Sequence, residues 1–283
     1  MNSAEMSLIP WEAQRIAERM LADYDAHRPN EIFAERRKNW LTLDDAYAVQ
    51  RAVAELRLKR GERCLGYKVG CLSAAIQKQL RLHEPVRGYL WQSEALVSGS
   101  HLPCESSGYG QECRFVNLAI EGEIALRLIR DIAVDIAGVD DISDSVECWF
   151  PIIELHNFVF RGPTPTSQEL VAGNAMHAGF VTPLSPGNFC LAGLAQAEIR
   201  VQIDGELVET KSVAELPGGP LGSVRWLASS LGRAGQGLKR GDIVLTGSPG
   251  RLIPISRSCS IGVVCEGQRV ELIVQRAPAG KVR

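Results

Sequence analysis

The sequence predicts an α+β fold in which a helical N-terminal segment, residues 1–62, precedes a mixed, β-rich domain, residues 63–283. Hydrophobic residues near the N-terminus recur with the spacing of amphipathic helices. Most later segments alternate as strands do, without the regular strand–helix rhythm of a doubly wound sheet. The chain has no internal repeat and no long linker, which favours a single boundary near residues 61–100.

Two N-terminal segments have the pattern of amphipathic helices. Residues 11–24 and residues 43–60 each place apolar side chains along one face and charged side chains opposite. Thr42 followed by Asp45 resembles a capping box at the start of the second helix, and Gly61 stands where a C-terminal cap is expected. The helical segment is therefore predicted to end near residue 61.

The rest of the chain is predicted to consist mainly of strands. Residues 118–128 alternate strictly, with Leu118 and Ile120 on one parity and Glu121 and Glu123 on the other. Further strands are predicted at 64–70, 151–158, 197–204 and 242–247, a hairpin at 263–274, and helices at 74–82 and 223–231. Asp204-Gly205 is typical of a hairpin turn. We therefore expect a largely antiparallel sheet system.

Composition excludes several classes of function. The 283 residues carry 31 Lys and Arg against 33 Asp and Glu, a net charge of -2. This balance provides no long-range field that would attract nucleic acid or an anionic membrane, so we expect neither partner.

No apolar run is long enough to cross a bilayer, and residues 1–11 lack the apolar core of a signal peptide, so we expect a cytoplasmic protein. The eight cysteines include no C-x-x-C pair, which favours structural thiols.

Three glutamates on predicted strands carry the clearest chemical implication. Glu121 and Glu123 are two residues apart, so their carboxylates leave one face of a strand about 6–7 Å apart at Cα. Glu154 lies in the apolar segment 151–158. Carboxylates without thiols or paired histidines select a hard ion such as Mg²⁺, Mn²⁺ or Ca²⁺. The alternative is an exposed strand face that carries glutamates.

Lys68 and two histidines are further candidates. Lys68 lies in an otherwise apolar strand, where a desolvated ammonium serves as a base or an electrostatic anchor; a surface lysine is the alternative. His156 has the parity of Glu154 and is either a partner of the site or a hydrogen-bonded core histidine. His177 stands among small residues of the kind that line pockets. The glycine-rich stretches lack phosphate-loop spacing, so no nucleotide site is predicted.

Several sequence blocks occur in an order and at separations that match a known family. They are DAYAVQ at 45–50, GYKVG at 66–70, Glu84-Pro85 with Gly88, IEGEIAL at 120–126, PIIEL at 151–155, GNA at 173–175 and WLASSLGRAGQGLKRGDIVLTGS at 226–248. From about Asp45 to Val270 the chain resembles the 2-keto-4-pentenoate hydratase and 4-oxalocrotonate decarboxylase group of the fumarylacetoacetate hydrolase superfamily.

The resemblance implies a fumarylacetoacetate-hydrolase-like β-rich domain, with Mg²⁺ or Mn²⁺ as cofactor. The family's three carboxylate ligands map onto Glu121, Glu123 and Glu154, and its active-site lysine maps onto Lys68. The positions that we expect to contact substrate are Val86, Asn174, Thr246 and Ser248.

The chain departs from the hydratase pattern beside the predicted site. Hydratases of the group carry E-P-D-[FY]-G, whereas here the block reads Glu84-Pro85-Val86-Arg87-Gly88. Valine cannot move a proton, so His83, Glu84 or a water would have to replace the family's aspartate in a hydratase. The decarboxylases resemble this chain in carrying an apolar residue there.

The leading hypothesis is therefore a metal-dependent lyase acting on a 2-keto or 2-hydroxydienoate acid in aromatic-compound catabolism, with hydration ahead of decarboxylation. Hydrolysis of the C–C bond of an acylpyruvate and a catalytically degenerate binding or scaffold subunit are the further alternatives. We expect a small-molecule 2-keto acid substrate and a homo-oligomer, or a hetero-complex with a homologous hydratase or decarboxylase subunit.

Overall fold

The computed structural model describes residues 8–34, 41–104, 115–132, 142–160, 164–185 and 191–276. Within these ranges, no helix combines the length and the apolar character that a bilayer span requires. Six of the eight cysteines are described and form no disulfide; Cys113 and Cys190 lie outside the described residues.

The described residues form six α-helices; four overlap the predicted helices, and two short ones at 31–34 and 167–172 were not predicted. The six helices are α1 (Pro10–Asp25), α2 (Glu31–Ala34), α3 (Leu43–Lys59), α4 (Ala74–Leu80), α5 (Ser167–Ala172) and α6 (Gly219–Arg233). The capping box of α3 is present, because Thr42 accepts from the Asp45 backbone N–H while the Asp45 carboxylate accepts from that of Thr42. Helix α4 ends two residues earlier than predicted, since Arg81 adopts the left-handed conformation.

Strands account for most of the remaining described chain. They are β1 (Cys64–Gly70), β2 (Val86–Trp91), β3 (Ala95–Val97), β4 (Ser100–Cys104), β5 (Leu118–Leu128), β6 (Val146–Asn157), β7 (His177–Thr182), β8 (Glu198–Ile203), β9 (Glu206–Ser212), β10 (Ile243–Leu245), β11 (Ile253–Pro254), β12 (Cys259–Cys265) and β13 (Gln268–Arg276). The predicted turn at Asp204-Gly205 joins β8 to β9, with both residues at positive φ. The α+β class is confirmed.

The strands form two sheets. The eight-stranded sheet has the order β2-β1-β10-β5-β6-β7-β3, with β11 pairing with β5, and the five-stranded sheet has the order β4-β13-β12-β8-β9. Pairing is mostly antiparallel, but β1 with β10, β3 with β7 and β4 with β13 are parallel. The two longest strands, β5 and β6, pair along almost their whole length near the middle of the larger sheet.

One face of the larger sheet packs against the smaller sheet. Leu118, Ile120 and the other apolar residues of their parity on β5 enter a core shared with β8, β12 and β13. Gly122 allows the two sheets to approach closely, because a methyl group on it would lie 2.8 Å from Val201 Cγ2 and 3.0 Å from Ile199 Cγ2. The opposite face of β5 is buried too, and Glu123 is only 1% exposed. The alternative of an exposed glutamate face is therefore wrong.

The N-terminal helices pack on this second face of the larger sheet, at the edge that β2 forms. Apolar residues of α1 and α3, among them Ile16 and Val49, share one buried cluster with Leu82, Val86 and Leu170. The helical segment thus contributes to the same core as α5 and β2. A domain boundary at residue 62 stays a prediction.

Replacing Gly122 with alanine is expected to lower the free energy of unfolding by about 1–3 kcal/mol, because the added methyl must displace Val201 and Ile199 in a close-packed contact. Gly193→Ala is the matched control, since a methyl there meets nothing closer than Trp149 at 4.0 Å and should change stability by less than about 0.5 kcal/mol. Urea-induced unfolding measures both. Equal stability of the Gly122 variant and the wild type would contradict this packing.

Candidate active site

The register of the larger sheet brings the predicted carboxylates together. Glu121 on β5 lies directly opposite Glu154 on β6, and Glu123 lies opposite Ile152 on the same face. Lys68 on β1 pairs with Leu245 of β10, which in turn pairs with Ala125 of β5. Paired residues share a face of a sheet, so Lys68 and the three glutamates project to one side.

Glu154 is the centre of the cluster and is fully buried. Its Oε1 lies 3.3 Å from Lys68 Nζ and 2.7 Å from His177 Nδ1, and its Oε2 lies 3.3 Å from His156 Nε2. Burial alone would raise the pKa of Glu154, but Lys68 and His156 stabilise its charge and hold that pKa well below its ordinary value. The neighbours of Glu154 therefore favour its ionised form.

The pKa of Glu123 shifts in the opposite direction to that of Glu154. Burial, and then the adjacent Glu154 carboxylate, raise the pKa of Glu123 well above its ordinary value. Its Oε2 accepts a hydrogen bond of 3.0 Å from the Gly247 backbone N–H. Gly247 has a φ of +88°, and a methyl group there would lie 2.1 Å from Leu72 Cδ1, so only glycine fits this position. The Thr-Gly-Ser stretch thus positions Glu123 through its backbone.

Lys68 lies buried among the carboxylates of the cluster. Its side chain is almost completely buried, which disfavours the charge, but Glu154, Glu123 and Glu121 raise the pKa of Lys68 above its ordinary value. The ammonium therefore keeps its proton, and of the two roles considered for a desolvated lysine the structure favours the second.

His156 belongs to the cluster. Its Nε2 lies 2.9 Å from Glu121 Oε2 and 3.3 Å from Glu154 Oε2. Burial lowers its pKa, but the two glutamates outweigh burial and raise the pKa of His156 to about 9. Neither ring nitrogen of His156 forms a hydrogen bond within the described residues, and Glu154 Oε2 is likewise without one.

These atoms have the arrangement that a metal site requires. Ligand atoms of Glu121, Glu154 and His156 lie within 4.8 Å of one another, and the carboxyl of Glu123 adjoins Glu154. Buried polar atoms without partners are rare in folded proteins and call for an explanation such as an ion. Carboxylate oxygens with one imidazole fit Mg²⁺ or Mn²⁺, so the residues present suit a hard divalent cation.

The cluster opens into a cavity of about 570 Å³. Lys68, Glu121, Glu123 and His156 line one end of it, together with Ser248, whose hydroxyl donates to the Gly122 carbonyl. The apolar walls include Leu72, Ile76, Val86, Phe158, Leu170 and Met176. The cavity is therefore charged at one end and largely apolar elsewhere. The other polar lining residues are Ser73, Gln79, Thr164, Glu215 and Arg251, the last of which lies near Glu209.

Val86 lies beside the anchoring lysine. A methyl group on Gly70 would lie 2.9 Å from Lys68 Nζ and 3.8 Å from Val86 Cγ2, so the two side chains flank the same point of β1. Val86 is 1% exposed and lines the cavity. The position at which the chain departs from the hydratase pattern is thus at the charged end of the cavity.

Behind Glu154, a second set of buried polar groups reaches the N-terminal helices. His177 Nε2 lies 4.0 Å from Glu94 Oε2, and Glu94 Oε1 accepts from Arg57 at 2.7 Å and from the Tyr24 hydroxyl at 2.6 Å. His177 therefore joins the cluster to α1 and α3 and fixes the orientation of Glu154. Its position among small residues pointed to a pocket, but its carboxylate partner could not be read from the sequence.

Two predicted acid–base residues do not reach the cavity. Glu84 is held by both of its oxygens at 2.8 Å from Arg233 Nη2 and accepts from the Trp226 indole, at the edge of another cavity. His83 is exposed. We expected His83 or Glu84 to replace the missing aspartate, but neither lies at the cluster. Of the segment 83–86, Val86 is the residue that lines the cavity.

Two predicted substrate contacts are structural instead. Asn174 Oδ1 accepts from the Tyr89 backbone N–H at 2.7 Å, and its Nδ2 donates to the Tyr89 carbonyl at 2.9 Å. Thr246 is fully buried and donates to the Ile124 carbonyl at 2.9 Å. Neither Asn174 nor Thr246 lines the cavity, whereas Met176 and Ser248, each two residues further along the chain, do.

Comparison with known proteins gives consistent matches. Residues 67–275 match the family model described as fumarylacetoacetate (FAA) hydrolase C-terminal. The chain is 31% identical over 222 residues to a 2-keto-4-pentenoate hydratase of Burkholderia vietnamiensis, covering 78% of this chain and 82% of that protein. It is 28% identical over 227 residues to a 2-hydroxyhexa-2,4-dienoate hydratase of Comamonas testosteroni, covering 80% and 84%.

A solved structure shares the whole fold. The 4-oxalocrotonate decarboxylase from Pseudomonas putida, complexed with magnesium and adipate, superposes with a TM-score of 0.84 at 22% identity and covers 96% of this chain and 99% of its own. The family model spans most of the chain, and the hydratase relatives cover more than two thirds of it. The chain belongs to the fumarylacetoacetate hydrolase family, within the group of its 2-keto-4-pentenoate hydratase relatives.

Proposed function

We propose that the protein is a metal-dependent lyase that hydrates a 2-hydroxydienoate, the enol form of a 2-keto acid, with Mg²⁺ or Mn²⁺. The observation that carries the proposal is one buried cluster of three carboxylates and Lys68 at the charged end of an otherwise largely apolar cavity. The names of the hydratase relatives support the reaction class.

The chain's own residues suit the binding of a keto acid beside a cation. Glu121, Glu123 and Glu154 would hold the cation, with His156 as a further ligand or as a partner of the carboxylates. When bound, such a cation acts as a Lewis acid that polarises the 2-oxygen of a keto acid. Lys68, which keeps its proton, attracts the substrate carboxylate and stabilises negative charge that develops near it.

The apolar walls favour a monocarboxylic substrate. A dicarboxylate such as 2-oxohexenedioate needs a cation at its far end as well, because burying an unpaired carboxylate is costly. Apart from Lys68 and His156 in the charged cluster, the cation among the described lining residues is Arg251, which is 72% exposed and lies 3.7 Å from Glu209. Leu72, Val86 and Met176 instead suit the hydrocarbon end of a dienoate.

The cavity also has room for a substituted diene. 2-Hydroxypenta-2,4-dienoate has eight non-hydrogen atoms, and even at the roughly 30 Å³ that one water occupies in the liquid they fill only about 240 Å³. This is less than half of the cavity of about 570 Å³. An apolar substituent at the far end of the diene would therefore be accommodated.

Decarboxylation is the second candidate, and one observation favours it. Val86 offers no proton donor where hydratases of the group carry aspartate, and loss of CO₂ requires only a polarised keto group and a positioned carboxylate. The fold shared with a decarboxylase is consistent with this alternative.

A substrate panel separates the two reactions. The purified protein would be incubated with Mg²⁺ or Mn²⁺ and 2-hydroxydienoates, 2-oxohexenedioate or acylpyruvates, while dienol absorbance and CO₂ release are followed together. The proposal requires metal-dependent loss of dienol absorbance without CO₂. Release of CO₂ from 2-oxohexenedioate alone would establish the second candidate instead.

Replacing Glu123 with glutamine is expected to weaken Mg²⁺ or Mn²⁺ binding by about 100-fold or more, because even outer partners of metal ligands contribute 10- to 100-fold. The fold should persist, since the raised pKa of Glu123 means that a neutral amide resembles its protonated form. Calorimetry compares metal binding by this variant with metal binding by the control Glu215→Gln. Glu215 lines the same cavity, and its carboxylate pairs with Lys211. Metal binding equal in both variants would refute the carboxylate trio.

Replacing Val86 with aspartate is expected to raise hydration of a 2-hydroxydienoate by about 10- to 100-fold, the low end of the contribution of a positioned acid–base group. Val86→Asn is the control, because its amide has nearly the same shape but transfers no proton. In a decarboxylase, the same aspartate would repel the departing carboxylate and lower CO₂ release. Unchanged activity in Val86→Asp, together with loss of activity in Lys68→Ala, would show that residue 86 does not lie at the reacting end of the substrate.

Self-association of the chain, with itself or with a homologous subunit, is also expected. Support comes from large apolar side chains on its surface, including Trp11 at 60% and Leu184 at 76% exposure. Sedimentation at micromolar concentration should give a mass at least twice 30.9 kDa. A monomer alone, both by itself and after mixing with a homologous hydratase or decarboxylase, would contradict the expectation.

A further inference from the structure

A second cavity lies on the other side of β2 from the candidate active site. Its volume is about 220 Å³, and it is lined by the first turns of α3, by Arg87 of β2 and by the last turns of α6. Successive residues of a strand face opposite sides, so Val86 lines the active-site cavity while Arg87 lines this one.

Arg87 is an unusual residue to bury without a counter-charge. It is 7% exposed, and its Nη1 donates to the Ser230 hydroxyl at 2.6 Å while the guanidinium lies 4.2 Å from the centre of the Tyr47 ring. Its Nε has no hydrogen-bond partner, and no carboxylate of the described chain lies within 4.0 Å of the guanidinium. Buried charges in proteins are normally paired, because removing an unpaired charge from water is costly.

The carboxylate nearest in sequence does not serve this purpose. Glu84 also lines the cavity, but both of its oxygens are engaged by Arg233 and one of them by the Trp226 indole as well. Arg51, at the same cavity, forms no ion pair within the described residues. Three arginines and two carboxylates, the second being Asp44, leave one unbalanced positive charge.

We propose that this cavity binds a small monocarboxylate anion on the Arg87 guanidinium. The planar guanidinium presents several N–H donors to a carboxylate. Ser230 engages Nη1 and Nε is inaccessible, so Nη2 is the Arg87 nitrogen that would donate to an anion in the cavity. One unbalanced charge suits a monoanion better than a phosphate dianion. The site is separate from the proposed catalytic function and does not depend on it.

Binding of an anion to Arg87 would also affect the wall of the active-site cavity. The Arg87 carbonyl accepts from Gln50 Nε2 at 2.9 Å, and the same amide donates to the Val171 carbonyl at 2.7 Å. Val171 follows Leu170, which lines the active-site cavity. An anion on Arg87 therefore stabilises the strand and helix that form one apolar wall of the candidate active site.

The test is thermal unfolding of the whole chain in EDTA, which removes metal-dependent binding of anions at the first cavity. Sodium acetate should raise the melting temperature by about 2 °C over equal sodium chloride, and the rise should saturate with concentration. Arg87→Met should abolish the rise and Arg51→Gln should reduce it. Arg225→Gln, an exposed arginine of α6 away from the cavity, should retain it.

Four results would overturn the proposal. They are no acetate effect on the wild type, an equal effect on Arg87→Met, a larger saturable effect of phosphate than of acetate, and a fall in oligomer mass on sedimentation of Arg51→Gln. The last would mean that a carboxylate of another subunit fills the cavity. If Arg87→Met fails to fold, Arg87→Lys replaces it; lysine keeps the charge but loses the planar guanidinium, so the acetate effect should still fall.

Discussion

The larger sheet holds three carboxylates close together and away from water, and this is the main constraint on the structure. Like charges at this separation repel, and burial increases the cost because the interior screens them poorly. The protein offsets this cost with Lys68 and His156 beside Glu154, and the raised pKa of Glu123 favours its neutral form. A cluster so arranged attracts a cation, which is why the carboxylates, and not the fold alone, indicate the chemistry.

The geometry that keeps the cluster in place comes from backbone features around it. Gly122 lets the smaller sheet press against β5 between Glu121 and Glu123, so both carboxylates are held on a strand with little freedom to move. Gly247 brings a backbone N–H to Glu123 where a side chain would collide with Leu72. His177 fixes Glu154 from behind and connects it to Glu94 and the N-terminal helices. The helices therefore support the site, although they supply none of its charged residues.

The strand β2 separates two environments of different chemistry. On one side, Val86 contributes to an apolar wall beside a charged cluster, a combination that suits a small acid with a hydrocarbon end. On the other side, Arg87 presents a buried cation without a carboxylate partner in the described chain. The sequence Val86-Arg87 thus departs from the hydratase pattern on both faces of the strand at once, and each departure changes what can bind next to it.

Local pattern determined much of this protein. Alternation in β5, the capping box at Thr42 and the Asp204-Gly205 turn depend on neighbouring residues, so the sequence predicts them, and the parity of Glu121 and Glu123 predicts a shared face. Lys68 and Glu154 were already candidates as charged residues in apolar segments, and resemblance to a family implied their roles. Only the tertiary structure decided that His156 joins the cluster, that Glu84 is bound by Arg233 and that Asn174 holds Tyr89. These outcomes depend on contacts between residues far apart in the chain, whose distances follow from sheet register and helix packing and not from any local pattern.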